Sequence, residues 1–452
     1  MTDLLGKSVL STIIQTPTCG ALDFVERALL SIDDAGKISA LLRPADEGYA
    51  EALDQVRQNG ILLELPAGQY LIPGFVDLHI HAPQWPQLGK ALDVPLEDWL
   101  QEYTFPLEAR YGDVVFAERI YADLVKTLLA NGTTTAVYFG TIHQEANRRL
   151  ADICHALGQR AVIGKVAMDH PEQCPSYYRD ASAQDSISGT SDFIDYVGSL
   201  PGNEDGRVLP AVTPRFVPSC SGRALSGLGR LAEDKDCHVQ THCSESDWEH
   251  GHVLARFGKT DTQVLSDFGL LSRKTVLAHS NHISDADMDL IRQAGSGVAH
   301  CPLSNFFFSD AVFPLRRALE KSVRVGLGTD ISGGPSASLL DNCRAAIVAA
   351  RALDHGVDAG LQPSSRGIAG SRIDFREAFY LATAGGADVL DIPTGRFETG
   401  CHFDAILVDP DVETAPIFID AGLDSPDDIA QKLVMQATRG NFSRVWVNGV
   451  VR

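Results

Sequence analysis

The segment PGFVDLHIHAPQ, Pro73–Gln84, combines an apolar β-type run with two histidines spaced two residues apart. Alternation along a strand places His79 and His81 on the same face, near the end of that strand. Two imidazoles side by side on a rigid strand suit a divalent transition metal. A pair of core histidines is the alternative, and this motif alone leaves both interpretations open.

This run is the first of eight β-type runs, which alternate with helix-like stretches such as Val114–Ala130 and Gln144–Leu157. The eight runs are Ile72–Ile80, Thr133–Phe139, Arg160–Met168, Val208–Phe216, His238–Cys243, Thr275–His279, Gly297–Cys301 and Val323–Thr329. Such alternation, repeated eight times, predicts a (β/α)8 TIM-type barrel, an α/β fold, over residues 71–394. An open doubly wound sheet is the alternative, but the glycine-rich first turn that often accompanies it is absent.

The two ends of the chain carry short β-type pieces instead of this alternation. These pieces are Ser8–Ile14, Ala28–Ser31, Ile61–Leu65, Asp404–Val408 and Phe442–Val451. We therefore predict that residues 1–70 and 395–452 pair into one small β-sandwich domain beside the barrel. The helix-like stretch Phe375–Leu390 is expected to complete the barrel wall.

Composition narrows the class of partner. The 452 residues include 38 Lys and Arg against 59 Asp and Glu, for a formal net charge of −21. This balance argues against nucleic acid or an anionic membrane as the main partner, but not against one small neutral nucleobase. No apolar run approaches the roughly 20 residues of a membrane span, and no secretory leader pattern is seen, so we expect a cytoplasmic protein. The nine cysteines never form C-x-x-C, which argues against a disulfide framework or a thiolate zinc site.

A second motif is HVQTHCSES, His238–Ser246. His242 ends a β-type run, and Glu245 follows three residues later. A carboxylate just beyond a metal-binding histidine can move protons without binding the metal. The same residues also fit a helix N-terminus, with Ser244 as the cap and Glu245 and Asp247 favourable to the helix dipole.

Two further runs end in polar residues, TVLAHSNHIS at His279 and VRVGLGTDISGG at Asp330. A carboxylate at the end of an apolar strand is costly unless it is paired or binds a metal. The glycines near Asp330 also fit a plain turn or a phosphate cradle, although no Lys follows at Walker spacing. The strand ends of a barrel meet at one mouth, where active sites lie. Five residues fall at such ends, on the first, fifth, sixth and eighth runs: His79, His81, His242, His279 and Asp330.

The chain resembles the amidohydrolase superfamily of metal-dependent barrel hydrolases and, within it, the guanine deaminase branch. The resemblance covers roughly residues 70–350 and a typical superfamily ending. It is carried by PGFVDLHIHAPQ, DWLQEYTFPLE, NGTTTAVYFGTIH, VTPRFVPSCS, HCSES, LAHSNHIS, CPLSNFFF and GLGTDISGG. The H-x-H pair marks only the superfamily, whereas HAPQ, YTFP and TPRF together indicate the guanine-specific branch.

The resemblance implies one Zn²⁺ per chain and a set of catalytic groups. His79, His81, His242 and Asp330 would hold the metal. The catalytic residues would be Glu245, His279 and Asp330, with Glu245 as proton shuttle and His279 in contact with the metal-bound water.

The resemblance also implies the reaction, the hydrolytic deamination of guanine to xanthine and ammonia, and a homodimer. The purine-binding residues would be Gln84, Arg215 and Phe216, together with His242, Glu245 and Asp330. Arg215 would lie near the carbonyl oxygen O6, with a structural ion pair as its alternative role. Trp85, Trp99 and Tyr103 are further aromatic candidates, with core filling the favoured role for Trp99. The alternative functions are hydrolysis of another heterocycle, such as 8-oxoguanine, a pterin or a triazine, and a non-catalytic scaffold.

Three weaker patterns are set aside. His143-Gln-Glu145 matches the H-x-E of another zinc deaminase fold, but the P-C-x-x-C that this fold also needs is absent. His250 and His252 lie in a polar helix-like stretch, for which a surface position is expected. The fourth run carries no Lys of the kind that bridges two metals in this superfamily, which favours one metal.

Overall fold

The computed structural model describes residues 3–452 and contains two eight-stranded sheets within that range. The strands are β1 (Ser8–Thr18), β2 (Ala21–Ile32), β3 (Ile38–Leu42), β4 (Leu62–Glu64), β5 (Tyr70–Pro73), β6 (Phe75–His81), β7 (Thr133–Phe139), β8 (Arg160–Ala167), β9 (Val208–Pro214), β10 (His238–Cys243), β11 (Thr275–His279), β12 (Gly297–His300), β13 (Arg324–Leu327), β14 (Ala405–Val408), β15 (Phe442–Val447) and β16 (Val450–Val451).

Sixteen α-helices lie within residues 3–452, and most of the barrel strands are followed by one of them. They are α1 (Tyr49–Gln58), α2 (Leu96–Trp99), α3 (Phe105–Ala109), α4 (Val114–Ala130), α5 (Gln144–Leu157), α6 (Ala183–Gly198), α7 (Gly222–Lys235), α8 (Asp247–Phe257), α9 (Asp261–Asp267), α10 (Asp285–Ala294), α11 (Pro302–Phe308), α12 (Leu315–Glu320), α13 (Leu339–His355), α14 (Phe375–Ala382), α15 (Ala384–Leu390) and α16 (Pro426–Gln436). A π-helical turn spans Leu100–Thr104, and 3₁₀ turns span Ala82–Gln87, Arg110–Gly112, Pro363–Ser365 and Arg439–Asn441.

Strands β6 to β13 form a parallel sheet in which neighbours in sequence are neighbours in space. Main-chain hydrogen bonds join its two ends, because Asp330 N–H donates to the His79 carbonyl at 2.8 Å and His81 N–H donates to the Ile331 carbonyl at 2.8 Å. The predicted (β/α)8 barrel is confirmed. The bonds that close it involve three residues predicted to hold the metal, His79, His81 and Asp330.

Two predicted elements are each divided in the structure. The run Ile72–Ile80 breaks at Gly74, whose N–H donates to the Asp404 carbonyl at 2.9 Å, so β5 joins the other sheet and β6 begins the barrel. The stretch Phe375–Leu390 breaks at Thr383, which leaves helical geometry with φ −127° and ψ −100°. The small residues after this break let α15 approach β6, where a Cβ on Gly386 would lie 2.8 Å from the Val76 Cβ.

The second sheet is mixed and is built from both ends of the chain, as predicted. Its strand order is β16–β15–β14–β5–β1–β2–β3, with β4 also paired to β1. Its buried core includes Val9, Ile13, Leu71, Leu407 and Trp446. The predicted domain boundaries at residues 70 and 395 stay a prediction.

A buried polar contact joins this terminal sheet to the barrel. Arg160, at the start of β8, donates from Nε to Asp404 Oδ2 at 3.2 Å and from Nη2 to Asn448 Oδ1 at 2.5 Å. These contacts lie at the N-terminal ends of the barrel strands, opposite the ends that carry the predicted site. Within residues 3–452, no helix is long and apolar enough to cross a membrane.

Candidate active site

Four imidazoles and a carboxylate meet at the C-terminal mouth of the barrel. Strand β6 contributes His79 and His81, β10 contributes His242, β11 contributes His279, and Asp330 follows β13. All five side chains are buried. His79 Nε2 lies 3.1 Å and His81 Nε2 3.6 Å from Asp330 Oδ1. His81 Nε2 and His242 Nε2 are 3.0 Å apart.

The donor atoms of this cluster are suited to a metal. His242 Nδ1 faces the Arg215 carbonyl at 2.6 Å, and because a carbonyl only accepts, the ring proton lies on Nδ1 and leaves Nε2 a lone pair. His79 Nε2 has no hydrogen-bond partner among the described residues. Burial lowers the pKa of His79, His81 and His242, which keeps the rings neutral. Two ligands of a shared tetrahedral ion lie ~3.3 Å apart for bonds of about 2.0 Å, close to the spacing found here.

Strand β13 approaches β6 closely at this point. Asp77 Oδ1 accepts from Thr329 N–H at 3.0 Å, and Asp77 Oδ2 accepts from the Thr329 hydroxyl at 2.6 Å. A Cβ on Gly328 would lie 2.8 Å from the His79 Cβ and 2.9 Å from Cys301 Sγ. Glycine at residue 328 therefore allows the segment that carries Asp330 to reach the histidines.

Glu245 and His279 lie beside the cluster. His279 Nε2 is 3.7 Å from Glu245 Oε1 and 3.9 Å from Asp330 Oδ2. Burial, reinforced by the Asp330 charge, raises the pKa of Glu245 well above its ordinary value. Glu245 precedes α8, but the helix cap is Ser246, whose hydroxyl accepts from Glu249 N–H at 3.2 Å, and not Ser244.

A cavity opens over the cluster. Its lining includes His81, Gln84, Leu96, Trp99, Leu100, Arg215, Phe216, His242, Glu245, Phe308, Asp330 and Gly333. Arg215 forms a two-pronged ion pair with Glu108, Nη1 to Oε2 at 2.7 Å and Nη2 to Oε1 at 3.1 Å. Although burial alone lowers the pKa of Arg215, the Glu108 charge raises it overall. Phe216 packs edge-on to His242 at 6.2 Å between ring centroids.

The amide of Gln84 has one orientation in this setting. Its Nε2 donates to Glu108 Oε1 at 2.9 Å, and its Oε1 accepts from Ser332 N–H at 3.3 Å. A flipped amide would place oxygen against carboxylate and N–H against N–H. This orientation leaves Gln84 Nε2 a second N–H, and Arg215 keeps N–H groups beyond the two bonded to Glu108.

The sequence model of the amidohydrolase family matches residues 70–452 of this chain. The chain belongs to the amidohydrolase family. This family is metal-dependent, in keeping with the His–Asp cluster.

Individual proteins extend the likeness over the whole chain. This amidohydrolase is 36% identical to a guanine deaminase of Dictyostelium discoideum, over 97% of this chain and 96% of the relative. It is 36% identical to the guanine deaminase of Homo sapiens, over 96% of this chain and 93% of the relative. The crystal structure of a guanine deaminase from C. acetobutylicum with guanine in its active site superposes with a TM-score of 0.85, at 29% identity, covering 98% of this chain and 99% of that chain.

The predicted site residues of this amidohydrolase come together at one mouth of the barrel. The roles assigned to them stay predictions. Arg215 forms the ion pair that was its alternative role, and it also lines the cavity. Trp99 is buried against Phe308 and lines the cavity, whereas Tyr103 is exposed and Trp85 donates to Asp123. His250 is half-buried and contacts Ser244 Oγ at 3.2 Å.

Sequence reasoning missed several residues of the site. Glu108 ends the quoted segment DWLQEYTFPLE, and its signal was a carboxylate within a largely apolar stretch. Its partner Arg215 lies 107 residues away, so no local pattern could reveal the pair. Phe308 ends the quoted CPLSNFFF, where its position among three consecutive phenylalanines hid its place on the cavity wall.

Proposed function

We propose that this amidohydrolase hydrolyses guanine to xanthine and ammonia, a step of purine catabolism. The observation that carries the proposal is the buried Glu108–Arg215 pair beside Gln84, on the wall of the cavity that contains the His–Asp cluster. The guanine deaminases similar to this chain over nearly their full length support the same reaction.

Ring specificity follows from the donors on the cavity wall. Arg215 and Gln84 offer N–H groups, which pair with the carbonyl O6 of guanine and leave the 6-amino group of adenine facing donors. A site built to hydrogen-bond one group rejects an analogue that lacks it by large factors. The flat faces of Phe216 and Trp99 suit the planar ring.

We further propose that the metal is one Zn²⁺ per chain, held by His79, His81, His242 and Asp330. A bound divalent ion would supply Lewis-acid activation of the attacking water. Three imidazoles and a carboxylate are ligands that zinc binds readily. Elemental analysis of purified protein should give one zinc per chain, and His81→Ala should lower this content; retention of full zinc by that variant would contradict the assignment.

The residues of the chain handle the protons. The water oxygen bonds to C2 of guanine, and the C2–N2 bond breaks to release ammonia. Glu245 takes a proton from the water and passes it to N3, then takes the second proton and gives it to the leaving amine. His279 Nε2, which has no hydrogen-bond partner among the described residues, accepts a hydrogen bond from the water and holds it near C2.

The test is ammonia release from guanine by zinc-loaded protein, run beside adenine, 8-oxoguanine, isoxanthopterin and cytosine. We expect a clear preference for guanine, xanthine as the product, and loss of turnover on chelation. Metal-dependent turnover of another ring would overturn the substrate assignment. No turnover of any ring by metal-replete protein would favour a non-catalytic scaffold.

We also propose a cytoplasmic homodimer. The support for the dimer is an exposed apolar group around one surface cavity, formed by Phe306, Val357 and Ile368. Burial of such a group against a second copy removes apolar surface from water. Light scattering should give twice the mass of one chain, and Val357→Asp should reduce it to that of one chain. A monomer at micromolar concentration would contradict the proposal.

A further inference from the structure

A chain of hydrogen bonds links the two residues proposed to handle protons. His279 Nδ1 lies 2.9 Å from Asn305 Oδ1. Asn305 Nδ2 donates to Asn281 Oδ1 at 2.8 Å, and Asn281 Nδ2 donates to the Glu245 carbonyl at 2.9 Å. All four residues are buried, and Asn281 and Asn305 lie outside every role assigned above.

The direction of this chain is set at one end. The Glu245 carbonyl can only accept, so Asn281 must turn its Nδ2 towards it. Asn281 then presents Oδ1 to Asn305. Asn305 must therefore donate from Nδ2, which leaves its own Oδ1 facing His279. An acceptor at that position requires a proton on His279 Nδ1. Reversal of either amide would place two acceptors or two donors in contact.

The chain therefore selects one tautomer of the neutral His279 ring. With the proton on Nδ1, Nε2 carries a lone pair, and this atom lies 3.7 Å from Glu245 Oε1 and 3.9 Å from Asp330 Oδ2. The other tautomer would direct an N–H into the same space and would donate to the reacting water instead of accepting from it.

Main-chain hydrogen bonds also hold the Glu245 segment against the end of β11. Asn281 N–H donates to the Ser244 carbonyl at 3.0 Å, and Ser280 N–H donates to the Cys243 carbonyl at 2.9 Å. The segments after β10 and β11 thus run side by side, and the Asn281 side chain adds a bond at Glu245 itself. The separation of the Glu245 carboxyl and the His279 ring depends on these contacts.

We propose that Asn281 and Asn305 are positioning residues, which orient His279 Nε2 as an acceptor and tie its ring to the main chain of Glu245. The proposal rests on the deamination proposed above for its kinetic consequence, but the tautomer itself does not depend on the substrate. Hydrogen-bond partners that orient the residues around a metal site typically affect activity ~10–100-fold when they are replaced.

Two variants separate the orientation of the His279 ring from its attachment to the Glu245 main chain. Asn305→Ala should lower kcat for guanine ~10–100-fold with KM within about 2-fold, because the ring is no longer oriented. Asn281→Asp should also lower kcat, because a carboxylate would face the Glu245 carbonyl, yet it still accepts from Asn305 and should keep the tautomer. The matched control is Asn441→Ala, since Asn441 is buried, bonded to main-chain atoms of Asp409 and Ala415, and lies in the terminal sheet region.

A second measurement reads the tautomer without turnover. In chelated protein with ¹⁵N-labelled histidine rings, two-bond ¹⁵N–¹H correlations distinguish a protonated from an unprotonated ring nitrogen, and His279→Gln assigns the signal. We expect the proton on Nδ1 in the parent chain and in Asn281→Asp, and a mixture of tautomers in Asn305→Ala.

Three results would overturn the proposal: a proton on Nε2 in the parent chain, an unchanged tautomer in Asn305→Ala, or an equal fall of kcat in Asn441→Ala. If the parent chain fails to deaminate guanine, the proposed function fails by itself. The tautomer measurement still decides whether the chain of hydrogen bonds orients His279.

Discussion

At the scale of single residues, replacement of the buried Glu245 is the most exacting test of the proposed reaction. A positioned acid–base group typically contributes about 10²–10⁴-fold. Glu245→Gln keeps the size of the side chain and removes its proton exchange, so kcat for guanine should fall at least about 100-fold. Elemental analysis should show unchanged metal content, since Glu245 is not proposed as a ligand. Unchanged turnover would exclude Glu245 as the proton shuttle.

Removal of Glu108 from its ion pair with Arg215 is a second test at this scale. Glu108→Ala leaves the Arg215 guanidinium buried without its carboxylate, and loss of one partner of a buried pair costs about 3–5 kcal/mol. Denaturant unfolding should show this loss, and the KM for guanine should rise because Arg215 is no longer held. The control is Asp195→Ala in the exposed Lys235–Asp195 pair, where about 1 kcal/mol or less is expected. Equal losses in the two variants would contradict the inferred role of Glu108.

The residue scale also shows where sequence reasoning reaches its limit. His79, His81, His242, His279 and Asp330 were identified because each one ends an apolar run, and the barrel brings such ends together. Asn281 and Asn305 end no run, and their partners depend on how the segments after three different strands meet. A local pattern carries no information about such contacts.

At the scale of elements, the buried His300 at the end of β12 makes the free energy of unfolding of the chain depend on pH. Burial lowers the pKa of His300 to about 3 in the folded chain. An exposed imidazole has a pKa of about 6.5, so between these values only the unfolded chain binds the proton. Stability is therefore full above about pH 6.5 and decreases as the pH falls towards 3.

The variant His300→Asn removes the titrating group and so tests this pH dependence. Between pH 6.5 and 5, the free energy of unfolding of the parent chain should fall about 1.6 kcal/mol more than that of the variant. Denaturant unfolding at both pH values gives the difference, in which groups common to the two proteins cancel. Parallel losses in the two proteins would show that His300 is not buried in its neutral form.

Elements were predicted well where short-range patterns are strong. The helices Val114–Ala130 and Gln144–Leu157 have the predicted bounds, because each is amphipathic and ends where its apolar spacing ends. The apolar run through residues 72–80 hides a change of sheet, since β5 and β6 are equally buried on either side of Gly74. Burial alone does not reveal which sheet a strand joins.

At the scale of the whole molecule, Asp404 connects the terminal sheet to the barrel through Arg160. Burial raises the pKa of Asp404, but the Arg160 charge and the Asn448 N–H hold it below its ordinary value overall. Asp404→Ala leaves Arg160 buried without its carboxylate and should cost about 3–5 kcal/mol. Thermal unfolding should show a lower Tm, whereas Asp267→Ala in the exposed Lys259–Asp267 pair should leave Tm nearly unchanged. An equal Tm in the two variants would show that the buried pair does not join the two sheets energetically.

The pairing of β5 with β14 also determines the order in which the molecule can be completed during its synthesis. The ribosome delivers β14 roughly 330 residues after β5, a delay of about 15–70 s at ~5–20 residues per second. The eight barrel strands emerge consecutively within this interval, so the barrel can assemble first. Until β14 arrives, one edge of β5 has no neighbour, and an open strand edge is a template for association with other chains. This temporarily open edge lies on the side of the molecule opposite the candidate active site.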